Sequence, residues 1–577
     1  MLPESDEDHI LAGKTELTSI QENLAELQSR KAKLENFISQ HLALKSPIRR
    51  IPEDILREVF EMCLPEDRLP ARELAEAPLL LTTVCRSWRA VAVSTPTLWN
   101  AVQIRLPSVM RHDLADDTFE DLVARRLEGT KLWLERSGSL PLSIHFSAQL
   151  GCSCNSWTSI RAEWERANPL ISESMARFIR LFVSYYPRWR RVSFNVPAPV
   201  LRYEEIPISQ LFPDRLETLE IIRTFSEVHP ENGLLSNLLR APTLKALHLH
   251  EERMFDNLDL PTRFHGLTRL IVTSSTYGLI APETAFNLLR CCSHTLAVCS
   301  LDLACHAAPT GLPPMVDGPL ALLCLRRLII RFRGRAFSAT MTPLFQSFAA
   351  PQLKQIGFHV LGPQAIPART LNTEDLLSFL SDFVRRCGCD LTLASLSLSL
   401  PVGAENAAQL LETLPALTTL KVVSDSFASS SIAAYHHGQT AGVCTVTSEF
   451  LERLTLGSNP SETFGCPHLE YVHFKDCDPQ FYEPLLEFAE SRTYGDRQKA
   501  LHSYYVDFWR PIPDGDNVRQ RLRLLREAGV DVKWRSRLRP TPRVNNDGPR
   551  DGLEGIHGEE FLFPASEDTS SSASISY

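Results

Sequence analysis

Apolar residues follow several different spacings along this chain, and each spacing predicts its own kind of element. Between 14 and 45, Leu17, Ile20, Leu24, Leu27, Lys31, Leu34, Ile38 and His41 fall at alternating steps of three and four, and six of these eight positions are apolar. Glutamine, glutamate, lysine and arginine fill most of the remaining positions, so the segment predicts a heptad helix whose seam Lys31 and His41 weaken. Four heptads suit either self-association as a coiled coil or a helix folded back on its own chain, and both readings stay open. Ser46-Pro47 stops the helix, because the residue before proline is pushed out of the α region.

From 51 to 99 the spacing becomes that of short, broad-faced helices. Pro52 suits a first helical turn, and Glu53 and Asp54 complement its positive end. Ile55, Leu56, Val59, Phe60, Cys63 and Leu64 then form a wide apolar stripe that Pro65 ends. A polar connector at 65–77 leads to a second predicted helix carrying Leu79, Leu80, Leu81, Val84, Cys85, Trp88, Val91 and Ala92. Thr95-Pro96 closes it, and Leu98-Trp99 is a final apolar anchor. A helical unit of about 50 residues is marginally stable alone. This one holds more large apolar side chains than one small core covers, so a face is left for a partner or for the rest of the chain.

A third pattern, apolar-x-x-apolar-x-apolar, recurs from 189 to 474. It runs through Trp189/Val192/Phe194, Leu216/Leu219/Ile221, Leu244/Leu247/Leu249, Leu267/Leu270/Val272, Val298/Leu301/Leu303 and Leu325/Leu328/Ile330. It continues at Leu353/Ile356/Phe358, Leu393/Leu396/Leu398, Leu417/Leu420/Val422, Leu451/Leu454/Leu456 and Leu469/Val472/Phe474. The mean step is roughly 28 residues. Alternation at period two predicts a short strand with one face inward, and helical stretches at 282–292 and 376–387 fall between strands. Strand, loop and helix at this period is the leucine-rich-repeat plan, though without its regular asparagine ladder, so an irregular array is expected. A helix at 517–528 ended by Gly529 and a last strand at 530–534 read as a cap. Beyond 537 proline, glycine, aspartate, glutamate and serine take over, and that tail is expected to be disordered.

Composition narrows the function more than it defines it. The chain has 577 residues, with 60 basic against 69 acidic side chains and a formal charge of −9, which argues against a protein that wraps nucleic acid. Nine basic residues between Arg519 and Arg543, with Trp534 among them, admit a nucleic-acid patch but are read first as the solvated side of the cap helix and the start of the tail. No apolar run is long enough to span a membrane, and the start MLPESDEDHI does not resemble a secretory signal. The 14 cysteines form no C-x-x-C pair and read as reduced thiols, which with the absent signal suggests a cytoplasmic or nuclear protein. Cys291, Cys292, His294, Cys299, Cys305 and His306 cluster without the spacing of a closed zinc site. The Cys-x-Cys pairs at 152/154 and 387/389 lack further ligands. Gly13-Lys14-Thr15 lacks the earlier glycine of a phosphate loop, since Asp8 stands there. With no nucleophile elbow, zincin helix or dinucleotide fingerprint either, no catalytic, metal or cofactor-binding residue is assigned and the chain is expected not to be an enzyme.

One set of residues carries a resemblance. The run Ile51-Pro52-Glu53-Asp54-Ile55-Leu56-Arg57-Glu58-Val59-Phe60, then Val84-Cys85-Arg86-Ser87-Trp88-Arg89, then Leu98-Trp99, resembles an F-box. It is most similar to the type expanded in mushroom-forming fungi, in which a short coil precedes Ser-Pro-Ile-Arg-Arg and the box. Trp133-Leu134-Glu135-Arg136-Ser137-Gly138 followed by Pro141-Leu142 fits that type too. Ile51 and Asp54 stand where leucine and glutamate are usual, which keeps the character of both positions. The resemblance covers about 100 residues directly. It implies a receptor subunit of a Skp–cullin–F-box ubiquitin ligase, in which the box binds the Skp adaptor, and through it the cullin, while the C-terminal part holds a target protein. Pro52, Ile55, Leu56, Val59, Phe60, Val84, Cys85 and Trp88 are the expected adaptor contacts.

The expected architecture is α/β: an N-terminal helix or coiled coil at 1–46, an all-α F-box at 47–100, a connecting region at 101–188, an irregular leucine-rich-repeat-like solenoid with its cap at 189–536, and a tail at 537–577. In such strands the residues alternating with the inward ones face the concave surface. That picks out Glu220, His248, His250, Arg331, His359, Lys421, His473 and Lys475 as candidate target contacts. They are equally readable as ordinary solvated strand residues. A repeat scaffold working outside ubiquitin transfer is the rival reading.

Overall fold

The structure is a computed structural model. It describes residues 4–45, 51–106, 116–148, 173–197, 212–224, 238–250, 261–273, 279–305, 318–334, 337–360, 373–399, 404–423, 446–455, 466–494, 501–508, 512 and 515–536. The chain divides into two compact units. One comprises Met1–Pro65 with Glu73–Leu98, and the other Glu66–Arg72 with Trp99–Tyr577. The tail from 537, Ser46-Pro47, Cys152, Cys154, His306 and Leu456 lie outside the described residues.

The first unit is helical. The long helix α1 (Glu4–Lys45) contains the heptad segment. In α2 (Glu53–Met62) the Pro52 carbonyl accepts the Leu56 N–H at 3.0 Å, so Pro52 caps the helix from outside its first turn. The single helix expected over 79–92 is two: α3 (Leu79–Val84) and α4 (Arg86–Val93). Cys85 between them is fully extended, and its thiol accepts the Trp88 N–H at 3.4 Å, capping α4 where a serine or aspartate would ordinarily serve. Leu56 and Phe60 of α2, Leu81 of α3, and Val91 and Ala92 of α4 make the core, with the Phe60 ring edge-on to Trp88 at 4.9 Å.

The second unit is built on one parallel sheet of 14 strands that stand in strict sequence order. The strands are β1 (Ala101–Arg105), β2 (Leu142–Ser147), β3 (Trp189–Pro197), β4 (Thr218–Thr224), β5 (Ala246–His250), β6 (Arg269–Thr273) and β7 (Val298–Cys305). They continue with β8 (Arg327–Gly334), β9 (Gln355–Val360), β10 (Ser395–Ser399), β11 (Thr419–Val423), β12 (Tyr471–Cys477), β13 (Ser503–Phe508) and β14 (Asp531–Ser536). Parallel crossovers keep one hand. With that hand and a strictly sequential order, the described helices between strands lie over one face, which is apolar, while the other face is polar. Successive helices α7 (Pro282–Cys291), α8 (Phe337–Gln346), α9 (Thr373–Cys387), α10 (Ala404–Glu412), α11 (Ser448–Leu454), α12 (Tyr482–Tyr494) and α13 (Asp516–Glu527) accordingly touch one another in a row.

Between strands and helices lie the inward residues of the repeat. Phe345 of α8 meets Phe358 of β9 at 5.7 Å and Phe379 and Phe383 of α9 at 4.7 Å each. Phe474 of β12 meets Phe450 of α11 and Phe488 of α12. Each enclosed leucine or phenylalanine contributes about 1.5–3 kcal/mol relative to exposure. Two polar side chains that enter this layer are bonded: the Tyr504 hydroxyl donates to the Leu485 carbonyl at 2.8 Å, and buried Arg492 donates to the Leu454 and Cys466 carbonyls. Arg521 ties α13 to Glu483 and Glu490 of α12, and Gly529 ends α13 with φ +93, a conformation that suits glycine.

Several sequence expectations change. The sheet begins at Ala101, so the stretch 101–188 is partly sheet, with α5 (Asp116–Arg136) and a helix over 173–183 (α6) between its strands. At β7 the inward set is Leu296, Cys299, Leu301 and Leu303, because Leu270 of β6 pairs in register with Cys299, and Val298 is only half-buried. Leu451 and Leu454 lie in α11, capped by the Thr447 hydroxyl, and β11 pairs directly with β12. The connector near 69–72 belongs to the sheet unit: Gln103 donates to the Pro70 carbonyl at 2.8 Å and Ala71 bridges Gln103, which covers an edge of β1. No helix among the described residues is long and apolar enough to cross a membrane.

Candidate functional site

Two surfaces carry the candidate residues. On the helical unit, the broad stripe of α2 divides. Ile55 and Val59 stay 45% and 40% exposed, and Met62, one turn on, is more open still. Leu80 and Val84 are exposed on one side of α3, where i and i+4 share a face. Pro52 and Cys85 are exposed and Trp88 is half-buried against Phe60. Leu56 and Phe60, expected on the adaptor-binding face, are core residues instead, and their side chains are unavailable to a partner. The physical reason is that the apolar arc on α2 is wider than one contact, so its Leu56/Phe60 half packs inward and its Ile55/Val59 half does not.

The polar face of the sheet holds all eight candidate target contacts, because each alternates with inward neighbours. Register aligns them in rows across the strands. Ser193, Glu220 and His248 are direct neighbours on β3, β4 and β5, as are Lys421, His473, Tyr505 and Lys533 on β11 to β14. The two ends of the face differ in chemistry.

At the first end the polar groups satisfy one another. His145 Nδ1 lies 2.8 Å from the Ser193 hydroxyl, Ser193 donates to the Glu220 carboxylate, and Glu220 Oε1 lies 2.6 Å from His248 Nδ1. His250 Nδ1 is 2.7 Å from the Thr273 hydroxyl, and Arg331 Nε donates to Asp302 at 2.7 Å. Burial pushes the Glu220 carboxyl upward, yet the hydrogen bond and charge of His248, the charge of His145 and the Ser193 hydroxyl outweigh it and hold the group down at about 2. Burial lowers His145, and it lowers His250 to about 4 with help from the His248 and Arg331 charges. Serine, histidine and a carboxylate thus meet here, but in the wrong order for nucleophilic catalysis. The hydroxyl proton is already given to Glu220, and Ser193 and His145 are both buried away from solvent.

Toward the other end the face opens and becomes basic. His359, near the junction, is pressed down to about 4 by burial and by Lys421 and Arg331. His473 is lowered mainly by burial, against the pull of Asp507, whose Oδ2 lies 3.4 Å from His473 Nε2. The Lys533 ammonium sits 4.3 Å above the Tyr505 ring and donates to its hydroxyl at 3.1 Å, while that hydroxyl donates to Asp531 at 2.6 Å. Lys421, Lys533 and Arg535 are exposed and Lys475 is half-buried. Tyr505 is not among the sequence candidates, although Leu501/Tyr504/Val506 obeys the repeat pattern and marks β13, and Lys533 and Arg535 enter there only as members of the basic run.

The cysteines suggested by the zinc-like cluster serve packing. Cys291, Cys292 and Cys299 are buried, and burial raises all three thiols above their ordinary range, which keeps them neutral. Among the described residues no group of three or more histidine, cysteine and carboxylate side chains could hold a metal ion. Within the basic run, Arg521 and Arg523 are paired with glutamates and Arg526 donates to the Val532 carbonyl. No protein-family model matches the chain, and no curated protein matches it significantly.

Proposed function

We propose that this chain is an F-box substrate receptor: its helical unit docks on a Skp-type adaptor and its sheet unit, an irregular leucine-rich-repeat-like array, presents a target protein for ubiquitination. The observation that carries the reading is the divided stripe of α2 and α3. Leu56, Phe60 and Leu81 already fill the core, yet Ile55, Val59, Leu80 and Val84 remain exposed in the segment whose residues resemble the box. About half of each such side chain is still open, so burying it against a partner contributes about 1 kcal/mol, and the four together supply a share of an interface. One parallel strand about every 33 residues, with helices over one face among the described connections and a polar opposite face, supports the target-holding part.

In this reading the chain supplies no chemistry. It raises the effective concentration of a target lysine beside the conjugating enzyme that the adaptor and cullin recruit, in cytoplasm or nucleus. The test is co-purification of the adaptor with the intact chain and with an Ile55→Asp/Val59→Asp variant. The proposal expects adaptor capture that this variant abolishes while circular dichroism stays unchanged.

The rival reading, a scaffold outside ubiquitin transfer, draws on α1. Leu17, Ile20, Leu24, Leu27, Leu34 and Ile38 are all more than half exposed along its heptad seam, which suits self-association.

A further inference from the structure

We infer that the basic end of the polar face, over β11 to β14, binds an acidic peptide segment through Lys421, Lys475, Lys533 and Arg535. This deepens the receptor proposal by naming the chemistry of its target, and it rests on reading the sheet unit as the part that holds that target.

Three observations converge. First, the groups at the other end, Glu220, His248, His250 and Arg331, are spent on one another, on Thr273 and on Asp302. The candidate target face therefore contracts to its open end. Second, among the described residues four cations project there against two carboxylates, Asp507 and Asp531. Asp507 lies beside His473, and Asp531 accepts from the Tyr505 hydroxyl and lies 3.9 Å from Lys533. An incoming carboxylate or phosphate finds a positive surface on a chain whose formal charge is −9, so the local sign runs against the overall one. Third, the spacing fits an extended chain. Lys421 and Lys533 share a register row three strands apart, roughly 14 Å at about 4.8 Å per strand. A peptide crossing the strands covers that span with about four residues, and its alternate side chains face the sheet together.

Nucleic acid fits this surface less well. Sequence-tolerant binding of single strands relies on aromatic faces that stack on bases. Of the two rings in the row, Tyr505 has the Lys533 ammonium over it and meets His473 edge-on at 6.0 Å.

The experiment uses the intact chain and three fluorescein-labelled octapeptides that alternate glycine with glutamate, with phosphoserine or with glutamine. Fluorescence anisotropy is expected to show the glutamate or the phosphoserine peptide, or both, bound about tenfold or more tighter than the glutamine peptide, with affinity falling as salt rises. Comparison of the two acidic peptides tells which anion the face prefers. Lys421→Glu/Lys475→Glu and, separately, Lys533→Glu/Arg535→Glu should each weaken acidic-peptide binding about tenfold or more, with circular dichroism unchanged. Equal binding of all three peptides, undiminished affinity in both folded variants, or tighter binding of a thymidine octanucleotide than of either acidic peptide would overturn the inference. No adaptor enters this assay, and Ile55→Asp/Val59→Asp should leave peptide binding intact. Failure here is thus separable from failure of adaptor capture.

Discussion

Replacing Phe60 by alanine removes a ring that is wholly enclosed and edge-on to Trp88 at 4.9 Å. At such a site the substitution costs about 3–5 kcal/mol, of which the ring pair contributes about 0.5–1.5. Val59 lies one position earlier on the same helix, and 40% of it is exposed, so Val59→Ala forfeits about 1 kcal/mol. The helical unit is small, and a loss near 3 kcal/mol is a large share of its stability. Hydrogen exchange by mass spectrometry on the intact chain reads this locally, through the amides of α2 and α4. Phe60→Ala should speed their exchange by about a hundredfold or more, and Val59→Ala by less than about tenfold. Equal acceleration by both variants would show that α2 does not divide into a packed half and a presented half. It would also remove the reason for expecting Val59 at an interface.

Two further predictions concern pH and assembly. His250 and His359 titrate near 4 when folded and about 6.5 when unfolded, so between those values the unfolded chain binds more protons and stability falls as pH falls. Urea midpoints should therefore drop from pH 7 to pH 4.5, and His250→Gln/His359→Gln should flatten that slope; an unchanged slope would contradict their burial as neutral groups. If the seam of α1 pairs two copies, sedimentation of the intact chain should show a dimer that Leu24→Asp/Leu27→Asp reduces to a monomer. A monomeric parent chain would remove the scaffold reading's main support.

Much of the fold was legible because one physical rule, alternation against a covered face, writes itself into each strand. Trp99, Val102 and Ile104 fit the pattern too, but Leu98-Trp99 follows the helical unit directly and reads as its last anchor, which hides β1. Leu451 and Leu454 misled in the opposite direction, because a spacing of three belongs to helices as well. There the Thr447 cap decides. At β7 the spacing of Val298, Leu301 and Leu303 satisfies the pattern by itself, although Leu296, Cys299 and Leu301 are the set aligned with the neighbouring strands.

The sites were less legible, for different reasons. A broad stripe such as 55–64 shows that a helix has an apolar arc, but which half of the arc packs depends on α4 and its Trp88. Alternation identified Glu220 and His248 as facing away from the core. It did not show that they bind each other, because that contact depends on register between strands nearly thirty residues apart. The basic end is half legible for the same reason: alternation names Lys421 and Lys475, but only the register of the sheet sets Lys533 and Arg535 beside them.

Adaptor capture tests the central claim most directly. The intact chain, expressed with a Skp-type adaptor and purified through a tag at its C-terminus, should retain the adaptor in a stoichiometric complex. The Ile55→Asp/Val59→Asp variant should lose it while keeping the parent's circular dichroism and hydrogen-exchange protection in α2 and α4. Absence of adaptor from the parent chain, or its full retention by the folded variant, would contradict the account.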